Sequence, residues 1–464
     1  MIRTILKILA GISLAIVILL FWAIRKVDYT PYFETGYYEA TKNRLDSLAN
    51  MLTNVEGKPS IGLGKRNITP ILNADEDDPK SGSFAAMPLA GYGDRQGISA
   101  TGIHDSLFVK TIAIRVLDKT LVFVGSDLLI MPPDVSKQVD KLVKDELGFG
   151  RESIFYSATH THSSVGAWSE GVVGELFGGE YNPLAVEWLA KQVSGAIIDA
   201  VKDLKPGKMG VANFHAPDYV KNRLVGEDGQ VDDDFMIIKV AQDDGKTAII
   251  GSFNAHATTL GGDNLETSGD YPGYFQRKLE SVGYDMAVFH AGSVGSHSYR
   301  SQGDGFERSR YIGEALADSV YNIATDIPLK DTISINALTL KIDYPEFQIR
   351  VSDGLRLNTY LAGKFFPEIG DVYLQSVKLD SLIWTTTPSD FSGETTLTYK
   401  NAMHQKGFRA MVTSFNGAYT GYIIPCKYYH LNEYESRLMN WLGPSYNPYI
   451  NYLVGEMIEE VSER

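Results

Sequence analysis

Cysteine and positive charge are both in short supply. Cys426 is the one cysteine among 464 residues, so an internal disulfide and a zinc site built from several thiolates are excluded. Lys and Arg total 43 against 57 Asp and Glu, a net charge of −14, and no segment gathers its cations into a basic stripe. Nucleic-acid backbones are held by clustered cations, so no nucleic-acid partner is expected. Long apolar runs are absent beyond residue 24, which excludes a polytopic membrane protein. Histidine is scarce as well, at nine. Any metal must be held by those few imidazoles together with carboxylate or tyrosine oxygen.

What remains has an ordinary globular balance, 44% hydrophobic and 22% charged, enough to bury a core. The N-terminus departs from it. From Ile8 to Ile24 no residue is charged, and Lys7 and Arg25–Lys26 bracket the run. That length is at the lower end for a spanning helix, which takes about 20 residues. No small-x-small cleavage site precedes Arg25, so residues 1–26 are expected to be a retained signal anchor. The body is then membrane-anchored and extracytoplasmic, although basic residues at both ends leave orientation open. Residues 27–57 read as a tether, and 58–464 as one domain.

Within the domain, period-2 and helical patterns alternate in short units. KTIAIRVLD and TLVFVGSDLLIM form a hairpin across Asp118–Lys119, and FMIIKVAQDDGKTAIIGSF a second one turned at Asp244–Gly245. VSKQVDKLVKDELG carries helical spacing and stops at Gly148, and PLAVEWLAKQVSGAIIDAVKDL is a long helix closed by Pro206–Gly207. The expected fold class is α/β, a single large domain with mixed β-sheets flanked by helices and preceded by an N-terminal transmembrane helix.

Three histidine positions follow apolar strands. SIFYSAT runs into His160-Thr161-His162. In an extended segment those two imidazoles project to the same side, at the strand end where α/β proteins place sites. A surface triplet without a role satisfies the same pattern. GSFNAHATTLGG sets His256 at a second strand end, and VFHAGSVGSHS brings His290, Ser296, His297 and Ser298 to a third. Small residues and hydroxyls there fit either a nucleophile turn or an ordinary Gly/Ser loop.

Taken together, these segments resemble the neutral/alkaline non-lysosomal ceramidases. The resemblance rests on GIHDSLFVKTIAI, SATHTHS, the NR of VKNRLV, FNAHATTLG with its following SGD, VFHAGSVGSHS, TPSDFSGE, and YTGY followed by the Tyr of NEYES. They occur in the family's order between about residues 60 and 440. The resemblance covers the family's N-terminal catalytic domain; its C-terminal β-sandwich has no counterpart before the chain ends at YINYLVGEMIEEVSER. It implies a zinc-dependent hydrolase that cleaves the amide of a ceramide-like N-acyl lipid to a fatty acid and a free amine.

By the same resemblance, His160, His256, Asp390 and Tyr422 hold Zn2+, while Ser298, His162, Arg223 and Tyr434 act on the substrate. Asp390 stands where the family has Glu, with Glu394 as the fallback ligand. The serine turn also departs from the family pattern, since Asp, Pro and Asn around the catalytic serine are replaced. Ser296 therefore competes with Ser298, and His297 becomes a candidate base or third metal ligand. Attack by Ser298 and attack by a zinc-activated water both remain open. Two other readings stand beside this one: a hydrolase of another acylated amine or ester, and a zinc-binding but non-catalytic membrane-tethered module.

Overall fold

Alternation along the strand Phe108–Val116 sets the layering. Val109, Thr111 and Ala113 point to one side and Ile112, Ile114 and Val116 to the other, and all six are buried. A strand apolar on both faces must be covered on both. The computed structural model describes residues 2–464 and shows how. Its helices are α1 (Ile2–Ala23), α2 (Gly36–Met51), α3 (Pro133–Leu147), α4 (Val172–Gly178), α5 (Pro183–Lys202), α6 (Asp270–Ser281), α7 (Gly305–Ala324), α8 (Thr359–Phe365), α9 (Gly393–Gln405) and α10 (Tyr446–Glu463).

Two mixed sheets pack against each other. The larger has eight strands in the order Met286–Ala291, Thr247–Phe253, Asp234–Gln242, Lys205–His215, Pro59–Asn67, Phe108–Val116, Lys119–Ser126 and Ile154–Ala158. The smaller has five: Val55–Gly57, Ile333–Ile342, Val372–Leu379, Leu382–Thr386 and Arg409–Thr413. Between them lie Ile112, Phe123, Phe155 and Val288 from one sheet, and Ile335, Val377, Trp384 and Met411 from the other. Trp384 stacks on Phe123 with ring centroids 4.7 Å apart. Leu189 and Val193 of α5 and Val139 of α3 cover one part of the large sheet's outer face. Phe275 of α6 and Leu316 of α7 cover the rest. Leu45 of α2 and Leu453 of α10 cover the small sheet. The α/β architecture expected from the sequence is present, in four layers.

Both expected hairpins form, with Val116 opposite Lys119 in one and Ala241 opposite Thr247 in the other. α3 starts at Pro133 and ends at Gly148, whose φ of 80° is left-handed and suits glycine. Within the two sheets three strand pairs are parallel: 119–126 with 154–158, 247–253 with 286–291, and 382–386 with 409–413. Their carboxyl ends meet at one rim.

The helix α1 is long and apolar enough to cross a membrane, and none of its described side chains is buried. The segment 27–57, expected as a tether, is packed into the body. Val27 is buried, α2 buries Thr41, Leu45 and Ala49, and the strand Val55–Gly57 pairs with Ile333–Ile335.

Candidate metal site

The rim gathers polar residues from both sheets. His160 follows the strand Ile154–Ala158 and has φ of 62°. The chain there turns through a left-handed residue rather than continuing extended. Strain of this kind persists where the surroundings over-determine it. Here the His160 backbone N–H donates to Leu128 O at 3.0 Å, and the ring Nδ1 to Leu129 O at 2.7 Å. His256 follows the strand Thr247–Phe253, and its Nδ1 donates to Val294 O at 3.0 Å.

A carbonyl can only accept, so both Nδ1 atoms carry the proton and both Nε2 atoms keep a lone pair. Those Nε2 atoms face each other at 2.8 Å. Burial drives the His160 pKa down to about 3 and holds that of His256 well below its ordinary value, so neither ring takes up a second proton near neutrality. Two opposed lone pairs at this distance repel unless a cation sits between them.

Asp390 supplies the charge such a cation needs. It follows the strand Leu382–Thr386, and its Oδ1 is 3.4 Å from each Nε2. That oxygen is buried and has no hydrogen-bond partner among the described residues, and desolvation raises the Asp390 pKa to about 7. Its other oxygen accepts from Tyr419 OH at 2.7 Å. Tyr422 lies directly across from Asp390 in a short parallel pair, with its OH 3.1 Å from His256 Nε2. Aspartate reaches less far than glutamate, and the backbone compensates by close approach. A Cβ on Gly295 would sit 2.2 Å from Asp390 O, so only glycine lets these two loops meet. Imidazole, carboxylate and phenol oxygen make a donor set suited to zinc, and the four residues expected to hold it converge.

The remaining expected residues divide. The Nε2 of His162 is 3.3 Å from that of His160, so three imidazoles lie close enough to share one ion. His162 also faces the cavity, as does Tyr434, whose ring meets Tyr422 edge-on at 5.8 Å. Arg223 lies behind Tyr422 rather than among the cavity-lining residues. Its Nη2 donates to Tyr422 OH at 3.0 Å and its Nε is 2.6 Å from Glu435. Ser298 likewise does not line the cavity. It sits on the strand His297–Tyr299, paired with Lys221.

Ser296 and His297 are buried side by side with Oγ and Nδ1 2.9 Å apart. The His297 Nε2 accepts the Asp232 backbone N–H at 3.0 Å, so the proton is on Nδ1 and points at Ser296. His297 is therefore no base for that serine and no ligand of the cluster. Glu394, the fallback ligand, is engaged elsewhere, 2.7 Å from Lys427 Nζ. His290 is buried in the sheet core against Trp384. Sequence reasoning missed Tyr419 and Glu435, although each lies beside a tyrosine that it did select.

From the donor cluster a cavity of about 270 Å³ runs outward. His160, His162, Asp390 and Tyr422 form its polar end, and Leu129, Ile130, Trp168, Val173, Phe177 and Trp441 line its walls. An apolar slot with a few convergent polar groups is the usual form of a small-molecule site.

Fold and site together define an α/β protein whose parallel strands deliver metal-type donors to the closed end of an apolar cleft. Residues 77–306 match the model of the neutral/alkaline non-lysosomal ceramidase N-terminal region. Neutral ceramidase 1 of Arabidopsis thaliana is 25% identical over 238 residues, 47% of this chain and 29% of that protein. Neutral ceramidase of Oryza sativa subsp. japonica is 24% identical over 246 residues, 49% of this chain and 29% of that protein. The chain thus aligns with less than a third of the length of these curated relatives. The crystal structure of neutral ceramidase from Pseudomonas aeruginosa shares the fold, with a TM-score of 0.72 at 19% identity over 88% of this chain and 75% of that one. A structure described as ceramidase complexed with C2 matches equally, again at 0.72 and 19%, over 88% and 76%. Over residues 77–306, just under half of its length, the chain is similar to the neutral/alkaline non-lysosomal ceramidases.

Proposed function

We propose that this protein is a zinc-dependent amidohydrolase of the membrane surface, cleaving a ceramide-like N-acyl lipid to a fatty acid and a free amine. The observation that carries the reading is the apolar slot ending on a buried cluster of opposed histidine lone pairs and an unpartnered carboxylate oxygen. An acyl chain fits the slot, and the cluster lies where the carbonyl would arrive.

His160, His256, Asp390 and Tyr422 would hold the ion. Bound there, zinc supplies Lewis acidity toward a carbonyl and lowers the pKa of a water to about 7. Hydrolysis adds water across the C–N bond: its oxygen ends on the acyl carbon and one proton on the leaving nitrogen. His162 is kept neutral by burial, with a pKa well below its ordinary value, and so can accept a proton in the cavity and return it to the amine. Tyr434, with its hydroxyl kept protonated by a pKa pushed up to about 12, can donate to the developing oxyanion. Arg223 acts through Tyr422, favouring oxygen charge there, with Glu435 fixing its position. Because Ser298 is outside the cavity lining, we assign the attacking oxygen to water and give Ser298 no covalent role.

Fatty-acid release by the purified full chain from a panel of N-acyl lipids, with zinc present, tests the reading. Release from ceramide-like amides supports it. Release only from other acylated amines or esters would replace the substrate, and zinc binding without any release would leave a metal-binding module. The membrane-anchored, extracytoplasmic placement rests on α1 remaining attached, with residues 58–464 as the hydrolase domain and 27–57 packed into it.

A further inference from the structure

The end of α1 is stitched to the cavity mouth. The last carbonyls of a helix lack internal partners, and here Asn358 takes two of them. Its backbone N–H donates to Ala23 O at 2.8 Å and its Nδ2 to Trp22 O at 3.0 Å. The same side chain caps α8, its Oδ1 accepting from Leu361 N. Ile24–Lys26 then runs directly into a three-stranded sheet, antiparallel to Leu355–Leu357, and Val27 N donates to Gly354 O at 3.0 Å. Trp22 and Tyr360 meet with ring centroids 6.1 Å apart. No flexible residues separate the apolar helix from the body.

What α1 is fixed to is itself apolar and exposed. α8 presents Tyr360 and Phe365, α4 beside it presents Val172 and Leu176, and the turn after Tyr434 presents Leu438. These same segments wall the cavity: Val173 and Phe177 of α4, Pro367 and Glu368 just past α8, and Tyr434 with Met439. The Cβ position of Gly171 is 3.8 Å from Phe365 O, so α4 and α8 form one continuous rim. Arg25, Lys26 and Arg356 stand at the end of α1, at the level where headgroup phosphates would lie.

We propose that this rim docks on the bilayer that α1 crosses, with Asn358 as the rigid joint, so that an N-acyl lipid passes from the leaflet into the cavity without entering water. The proposal rests on α1 being a membrane anchor. Aromatic and leucine side chains on an amphipathic rim bury into the headgroup boundary, and continuity of that rim with the cavity gives the lipid its path.

The test uses the full chain in phosphatidylcholine vesicles, in a Cys426→Ser background. Single cysteines are introduced as Leu176→Cys, Leu438→Cys or Leu117→Cys and carry an environment-sensitive fluorophore. Leu117 lies in the hairpin turn at the far end of the strand Lys119–Ser126, about 30 Å from the rim. Labels at 176 and 438 are expected to be quenched by doxyl lipid and shielded from aqueous iodide, with the reverse at 117. Iodide access at all three would overturn the docking whether or not the protein is a hydrolase. Asn358→Asp keeps the cap on α8 but cannot donate to Trp22 O; doxyl quenching at 176 should fall, and unchanged quenching would remove the joint. Leu176→Ser with Leu438→Ser should slow turnover of a bilayer-resident N-acyl lipid about tenfold while sparing a short soluble one. Equal loss on both would overturn the delivery path.

Discussion

Replacing His256 by alanine removes one of four converging donors, and the structure sets the size of the effect. Zinc bound by four protein donors gains about 10–16 kcal/mol, or about 3 kcal/mol per donor. Loss of one weakens binding about 100-fold. For the unaltered chain, free zinc at a thousandfold above Kd adds about 4.1 kcal/mol of stability. An unfolding entropy near 2.1 cal/mol/K per residue over 464 residues is about 1 kcal/mol/K. Zinc should therefore raise Tm by about 4 °C. In His256→Ala the same zinc stands only about tenfold above Kd, which leaves about 1.4 kcal/mol and a rise of between about 1 and 2 °C. Differential scanning fluorimetry with and without zinc reads the shift, and elemental analysis of gel-filtered protein reads the stoichiometry, about one zinc per chain falling toward none. Equal zinc responses in the two proteins would show that the opposed imidazoles hold no ion.

Three further outcomes follow from named contacts. Tyr419→Phe removes the hydroxyl that donates to Asp390 Oδ2, a bond to a charged group worth about 1.5–3 kcal/mol, and should weaken zinc affinity 10- to 100-fold, in the range of other second-layer partners; zinc titration against a chelator measures it. Ser298→Ala should keep turnover within about threefold, because the residue is not in the cavity lining and positioned acid–base groups account for factors of about 100 or more; abolished turnover with zinc retained would return the nucleophile to Ser298. The Asp233 hydrogen bond, 2.8 Å from His215 Nδ1, and the nearby Asp234 raise the pKa of that exposed histidine above its ordinary 6.5. A raised histidine contributes stability that is present below 6.5 and lost as pH rises through the folded value. NMR titration of His215 should give a midpoint above 6.5 that falls toward it in Asp233→Asn.

Much of the layering was legible because near-continuous apolar runs mark strands covered on both faces, and because Asp244–Gly245 carries turn chemistry that sets one hairpin; the other turns at Leu117–Asp118, one residue before the expected Asp118–Lys119. α2 was harder to see as part of the body. It buries only Thr41, Leu45 and Ala49 along one edge, and its remaining polar residues resemble those of a solvated linker. For the site, His160 and His162 were visible as neighbours of a buried strand, but an extended geometry was the wrong reason for their convergence: the left-handed backbone at His160 brings the rings together. Asp390, Tyr422 and Tyr434 had no local mark at all and were reachable only through family resemblance. Tyr419 and Glu435 lie inside the YTGY and NEYES segments, but the resemblance gave neither a role. With 26 tyrosines in the chain, nothing in sequence separates one that orients a carboxylate from one that packs.

The two histidines that face each other come from the eight-stranded sheet, while Asp390 lies beyond the end of the five-stranded one. An ion at that point would act as a rivet between the two halves of the sandwich, fastening them where their hydrophobic interface gives out. Chelation would then do more than silence chemistry. It would let the halves part at one edge, and amide protons of residues 389–392 and 256–260 would trade with solvent sooner than those beside Trp384.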